Sequence, residues 1–152
     1  MRFLAKLAPL FAVIFVYASS ATAQVTQITP DEARAKALAG ELVLIDIRTP
    51  GEWVETGLPD VALTADMTDP AFIQTLLAIR DQNPATPLAL ICRTGNRSGY
   101  VTGELYKAGM TNVIDVVEGL SGSGVGPGWA TRGLPIRKAA APIYAQITTV
   151  QP

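Results

Sequence analysis

The chain contains one cysteine, Cys92, and no histidine. Cys92 stands where an apolar run, Leu88-Ala89-Leu90-Ile91, gives way to the small, polar and cationic stretch Arg93-Thr94-Gly95-Asn96-Arg97-Ser98. A cysteine reacts as its thiolate, which needs positive potential to exist near neutral pH. Arg93 and Arg97 supply two guanidiniums, and a helix predicted from about Arg97 adds the partial positive charge of its N-terminus. Such a setting favours a nucleophile over a buried thiol serving as a small hydrophobe. The missing histidines remove Ser-His-Asp and Cys-His mechanisms, imidazole acid–base steps and most zinc sites. Thiol pKa values fall from about 8.5 to roughly 3.5–7.5 beside cations and helix N-termini, so a thiolate can form without a separate base. Lowering a pKa by about two requires only about 3 kcal/mol.

Between Ile91 and Ser98 a strand must stop, the chain must turn and a helix must begin. Several consecutive N–H groups then lack secondary-structure partners and can converge on one point, with Gly95 supplying an unusual backbone angle. The expected product is an anion nest built from residues 93–98, with Cys92 Sγ at its floor.

The elements that position this loop follow from local signals. Thr29-Pro30-Asp31-Glu32 is a capping box with proline at the first helical position, and the helix it opens runs to Ala39 before Gly40. Glu41 to Asp46 reads as a strand buried on both faces. Thr49-Pro50-Gly51-Glu52 repeats the capping pattern, with Glu52 as the capping acid, and predicts a short helix from Pro50 to about Glu55 that turns back at Gly57. Val61 to Thr64 is weak strand material. Asp69-Pro70 opens a helix in which Phe72, Ile73, Leu76, Leu77 and Ile79 form one core-facing stripe. Strands are predicted at Leu88–Ile91 and Asn112–Val117, with a helix from about Arg97 to Ala108 between them and Gly109 as its stop.

Strands alternating with helices at this spacing predict the α/β class, with a mainly parallel central sheet and helices on both faces. Ligands of such sheets bind at the carboxyl ends of the strands, where Cys92 lies. Asp46 and Arg48, at the end of another strand, are expected to pair with each other or to cap nearby backbone. Tyr100 and Tyr106 read as packing residues, and Trp129 as either a shield over the site or core. Five glycines crowd positions 119–128 without the lysine or spacing of a phosphate loop, so this segment is expected to be an irregular wall near the site.

Residues 1–23 read as an export signal: Arg2 and Lys6, the apolar run Leu10–Ala18, then Ala21-Thr22-Ala23 as a cleavage site. The expected mature chain, 24–152, is one domain with a core over about 29–138 and a C-terminal tail. Its net charge of −3 gives no electrostatic footprint for nucleic acid, and no membrane association is expected after cleavage. The expected localisation is exported, periplasmic if the source is a Gram-negative bacterium. No metal, nucleotide or organic cofactor is implied.

The run Cys92-Arg93-Thr94-Gly95-Asn96-Arg97 resembles the six-residue loop of the rhodanese-like sulfurtransferases. Leu44-Ile45-Asp46-Ile47-Arg48 with Glu52-Trp53, and Gly133-Leu134-Pro135-Ile136, extend the resemblance over most of the chain beyond residue 23. It implies the rhodanese-like fold and a sulfurtransferase that receives sulfane sulfur on Cys92 as a persulfide. The donor would be thiosulfate or a similar small anion, and the acceptor cyanide, a thiol or an exported protein. Residues 93–98 would bind the donor, with Asp46 and Arg48 in support. The chain departs from the family in having Gly57-Leu58-Pro59-Asp60-Val61-Ala62 where a Gly-His-Ile-Pro-Gly-Ala pattern is common, and in its long glycine-rich segment. Two other readings stand beside this one. The first is an exported sulfur carrier or docking module with little turnover. The second is a cysteine phosphatase or arsenate reductase, although those resemble a pattern with five residues between cysteine and arginine where this chain has four.

Overall fold

In the computed structural model, residues 24–139 are described, and the expected export signal and nearly all of the tail lie outside them. Within them the chain runs β1 (Thr26–Ile28), α1 (Pro30–Leu38), β2 (Val43–Asp46), α2 (Pro50–Thr56), β3 (Leu58–Pro59), β4 (Leu63–Thr64), α3 (Phe72–Gln82), β5 (Leu88–Ile91), α4 (Asn96–Lys107), β6 (Val113–Val116), α5 (Gly128–Thr131) and β7 (Ile136–Arg137). Both expected capping boxes form: Thr29 with Glu32 opens α1, and Thr49 with Glu52 opens α2. α3 begins later than Asp69-Pro70 suggested. Asp69 instead turns the chain, its carboxylate accepting the Ala71 N–H at 2.7 Å, and the helix starts at Phe72 without a side-chain cap.

Five strands make one sheet in the order β1-β6-β5-β2-β4, every pair parallel. This is the expected α/β fold. β1 was not foreseen; its pairing beside β6, Ile28 against Val116, makes a strand of three residues with no strong pattern of their own. β3 and β7 form a separate antiparallel pair, Leu58 against Arg137.

Alternation along the strands sends side chains to two apolar layers. Leu88 and Leu90 of β5 join Phe72, Leu76 and Ile79 of α3 and Val101 and Leu105 of α4 on one face. Ala89 and Ile91 join Leu44, Val116, Ala33 of α1 and Trp129 of α5 on the other. Trp129 is fully buried and donates its indole N–H to Pro135 O at 3.0 Å, so it is core and not a shield. Two side chains depart from the expected packing. Ile73 falls outside the α3 stripe and is exposed, and Tyr100 is 68% exposed; Tyr106 does pack against the α3/α4 layer.

Candidate active site

Cys92 follows β5 directly and keeps the strand's two-residue phase, so its side chain enters the same layer as Leu88 and Leu90, beneath α4. Its surroundings are therefore half apolar cluster and half loop. At the far end of the loop, Ser98 donates its backbone N–H to Cys92 Sγ at 3.4 Å, and its hydroxyl, with one proton to give, lies 3.1 Å from Gly95 O and 3.5 Å from the sulfur. Gly95 makes the turn between them. Its φ of +87° is left-handed, and a side chain there would overlap the Val117 carbonyl.

The expected nest is thus only partly as drawn. Cys92 is 1% exposed, so the sulfur lies under the loop and not at an open floor. Asn96 and Arg97 lie in the first turn of α4, where helix geometry leaves backbone N–H groups without an intrahelical acceptor. The two guanidiniums do not flank the sulfur as free cations. Arg93 is exposed, whereas Arg97 is tied to Glu52 through two contacts, Nη1 to Oε2 at 2.8 Å and Nη2 to Oε1 at 2.6 Å. Thr94 is half-buried and Asn96 exposed, while Gly95 and Ser98 are buried.

Glu52 was expected only as a capping acid. It caps α2 and also spans 45 positions to hold the loop arginine. Hydrogen bonds from Arg97 lower its pKa from 4.5 to about 2, helped by the Thr49 backbone N–H. Because the folded-state value is depressed, the stabilisation is complete above about 4.5 and is lost as pH falls toward about 2. That displacement corresponds to at most about 3 kcal/mol; with Arg97 one-third exposed, screening reduces it to about 1–2 kcal/mol. Glu52→Gln keeps the shape and the cap but removes the charge. Urea unfolding is expected to show a loss of about 1–2 kcal/mol at pH 7 that shrinks steadily below about pH 4.5.

Asp46 and Arg48 pair, as expected, and both are buried. Arg48 then reaches past its partner, donating to Thr56 Oγ1 and to Gly57 O, each at 2.7 Å. These bonds fix the C-terminal end of α2, the helix that carries Glu52. Support thus passes from Asp46 through Arg48 and α2 to Glu52 and Arg97, with no direct contact between the Asp46–Arg48 pair and the sulfur.

The glycine-rich segment does form a wall. Leu120 N–H donates to Cys92 O at 2.9 Å and Ser121 N–H to Arg93 O at 2.8 Å. Gly119, with φ +66°, lies so close that a Cβ would meet the Arg93 carbonyl carbon and Thr94 nitrogen at 2.6 Å. The segment's base is held by buried Glu118, which accepts the Gly128 N–H at 2.9 Å and pairs with Arg132, itself paired with Asp31.

One residue behind the loop was missed. Asp115 of β6 shares a face with Val113 and lies under α4, 3% exposed. Burial pushes its pKa up, opposed by hydrogen bonds from Ser98 and Gln27. The available signal was a lone carboxylate within the apolar run predicted as the strand Asn112–Val117. Ser98 therefore stands between Cys92 Sγ and the Asp115 carboxylate.

Comparisons with known proteins agree with this arrangement. The chain is 26% identical to Rv0390 of M. tuberculosis, whose crystal structure superposes with a TM-score of 0.60 over 76% of this chain and 99% of that one. A Rhodopseudomonas palustris protein of unknown function, described as a possible tyrosine phosphatase, is 24% identical with a TM-score of 0.55, covering 74% and 85% of the two chains. The polysulfide-sulfur transferase homodimer of Wolinella succinogenes is 24% identical with a TM-score of 0.57, covering 76% and 80%. At those identities the last two speak to fold alone. The family model for the Rhodanese-like domain matches residues 29–123, a span that holds four of the five strands of the sheet, the Cys92 loop and the Glu52–Arg97 tie, and the chain therefore belongs to the rhodanese-like domain family.

Proposed function

We propose that the protein is a sulfurtransferase that carries sulfane sulfur on Cys92. The observation that carries the reading is the position of the sole thiol: it heads a strand-to-helix loop closed by left-handed Gly95, with the Ser98 N–H on its sulfur, in a chain of this family. With thiosulfate as donor, the Cys92 thiolate attacks the outer sulfur, the S–S bond of the donor breaks, and sulfite leaves with the electron pair. Cyanide or a thiol then attacks the outer sulfur of the persulfide, and the cysteine thiolate is released. Residues 93–98 are the donor-binding loop in this reading, and Arg97 is held in place by Glu52. The N-terminal 23 residues support an exported protein, and in a Gram-negative source a periplasmic one.

A second reading, a sulfur carrier with little turnover, draws on the burial of Cys92. A sulfur closed beneath its loop suits storage and transfer to a docked partner better than rapid exchange with free anions. One experiment separates the readings. The purified protein is incubated with thiosulfate, Cys92 is examined by intact mass for the gain of one sulfur atom, and thiocyanate is measured after cyanide is added. Labelling followed by steady thiocyanate release supports the transferase, whereas labelling without turnover supports the carrier. Brisk hydrolysis of an aryl phosphate with no sulfur gain would overturn both and establish the phosphatase alternative.

A further inference from the structure

Asp115 lines a cleft that shares Thr94, Gly95 and Asn96 with the Cys92 loop but extends away from the sulfur. This cleft, of about 570 Å³, lies between β1, the first turn of α4 and the glycine-rich segment, and Cys92 does not line it. Its size is that of a small-molecule site. Its floor is Asp115, whose Oδ1 has no hydrogen-bond partner among the described residues, although the residue is 97% buried. Burying a carboxylate without full compensation is costly, which is why burial raises its pKa. Among the described residues no lysine or arginine lines the cleft to supply the missing charge.

The surrounding residues leave room for a cation from outside. Gly99 stands beside the carboxylate, where a Cβ would come within 3.2 Å of Oδ2 and press on Asp115. Among the lining residues, Tyr100 and Val125 are 68% and 70% exposed, an aromatic ring and an apolar side chain open to solvent. Gln27, Thr94 and Asn96 add polar groups along the wall. A metal ion is poorly served, because no cluster of three or more carboxylate or thiol ligands exists among the described residues. An anion would meet the Asp115 charge. The chemistry left is an organic ammonium, its N–H donors on Asp115 and its apolar body between Tyr100 and Val125, where a cation over the tyrosine face gains further.

We infer that this cleft binds small primary ammonium compounds with an apolar or aromatic body, with Asp115 as their counter-ion. Cys92 does not line the cleft, yet the two adjoin through the 93–98 loop, which supplies Thr94, Gly95 and Asn96 to the cleft and the Ser98 N–H to the sulfur.

The test uses 2-phenylethylammonium as probe, titrated into the isotopically labelled protein and followed by amide chemical shifts, with no sulfur donor present. Saturable shifts centred on Gly99, Asp115 and Gly124 are expected. Affinity should fall at least about 10-fold for neutral 2-phenylethanol and at least about 10-fold for Asp115→Asn, the size typical of one lost charge-assisted hydrogen bond. Tyr100→Ala, an exposed position where folding is not at stake, should weaken binding several-fold. Absence of saturable shifts in the native protein, equal binding of the alcohol, or full affinity in a folded Asp115→Asn variant would each overturn the assignment. Because the readout is binding without any donor, it stands or falls independently of the role given to Cys92.

Discussion

Cys92→Ser is expected to lower thiosulfate-to-cyanide sulfur transfer by at least about 1,000-fold, since a serine hydroxyl is neither ionised near neutral pH nor able to form a persulfide. No other cysteine exists to take over. The loss should be chemical and not structural. Serine places a hydroxyl in a largely apolar layer, at a cost of about 1–3 kcal/mol if unpaired, but the Ser98 N–H already points at that position. Cys92→Ala removes the same chemistry without burying a new polar group, so the two variants together separate reactivity from folding. Thiocyanate release and intact mass after thiosulfate should be null for both, while far-ultraviolet circular dichroism remains native. Sulfur transfer undiminished in either folded variant would remove Cys92 from the mechanism altogether.

The second large effect is expected at Gly95. Alanine there meets two penalties: a left-handed backbone angle that costs about 1–2 kcal/mol for a residue with a Cβ, and overlap with the Val117 carbonyl, whose carbon would sit 2.7 Å away. Both atoms belong to backbone, which cannot rotate aside, so the loop itself must lift. Gly95→Ala should destabilise the protein by about 3 kcal/mol or more. It should also carry the Ser98 N–H off the sulfur and reduce turnover at least about 10-fold even where the protein remains folded. Gly103, in the middle of α4, is the control. A Cβ there meets nothing within 4 Å, and alanine should stabilise by about 0.5–1 kcal/mol. Chemical denaturation and steady-state assays of the pair would show whether the effect belongs to the loop.

Much of this site is written in short-range signals, and the structure departs from them where distant residues meet. The capping boxes at Thr29 and Thr49 are readable because cap and acid lie three positions apart, and both helices begin where those residues place them. The thiol loop is readable because an apolar run, a cysteine and a glycine occur in order. Glu52 shows the other case. Its cap is local, but its hold on Arg97 spans 45 positions and becomes visible only when α2 is brought against α4. The same holds for β1 and for the β3–β7 pair, whose two or three residues become strands through their partners. Burial of Cys92 was misjudged because residue type alone described the loop. Its two-residue phase with Leu88 and Leu90, which sends the side chain beneath α4, is a property of the strand before it. Ile73 is exposed for a related reason: it lies at the margin of the α3 stripe, outside the part that meets the sheet.

The hydrogen bonds from Leu120 and Ser121 to the Cys92 and Arg93 carbonyls anchor the start of the glycine-rich segment, the Gly128 N–H bond to Glu118 anchors its end, and its tip is closed by its own bridge between Ser123 and Gly126. Gly126 is fixed by its close approach to the Glu118 carboxyl, but residues 123–125 can be lengthened, shortened or recoloured in charge while the stem keeps its hold on the Cys92 loop. Evolution, or an engineer, can reshape what approaches this protein at the tip without retuning the atom that reacts.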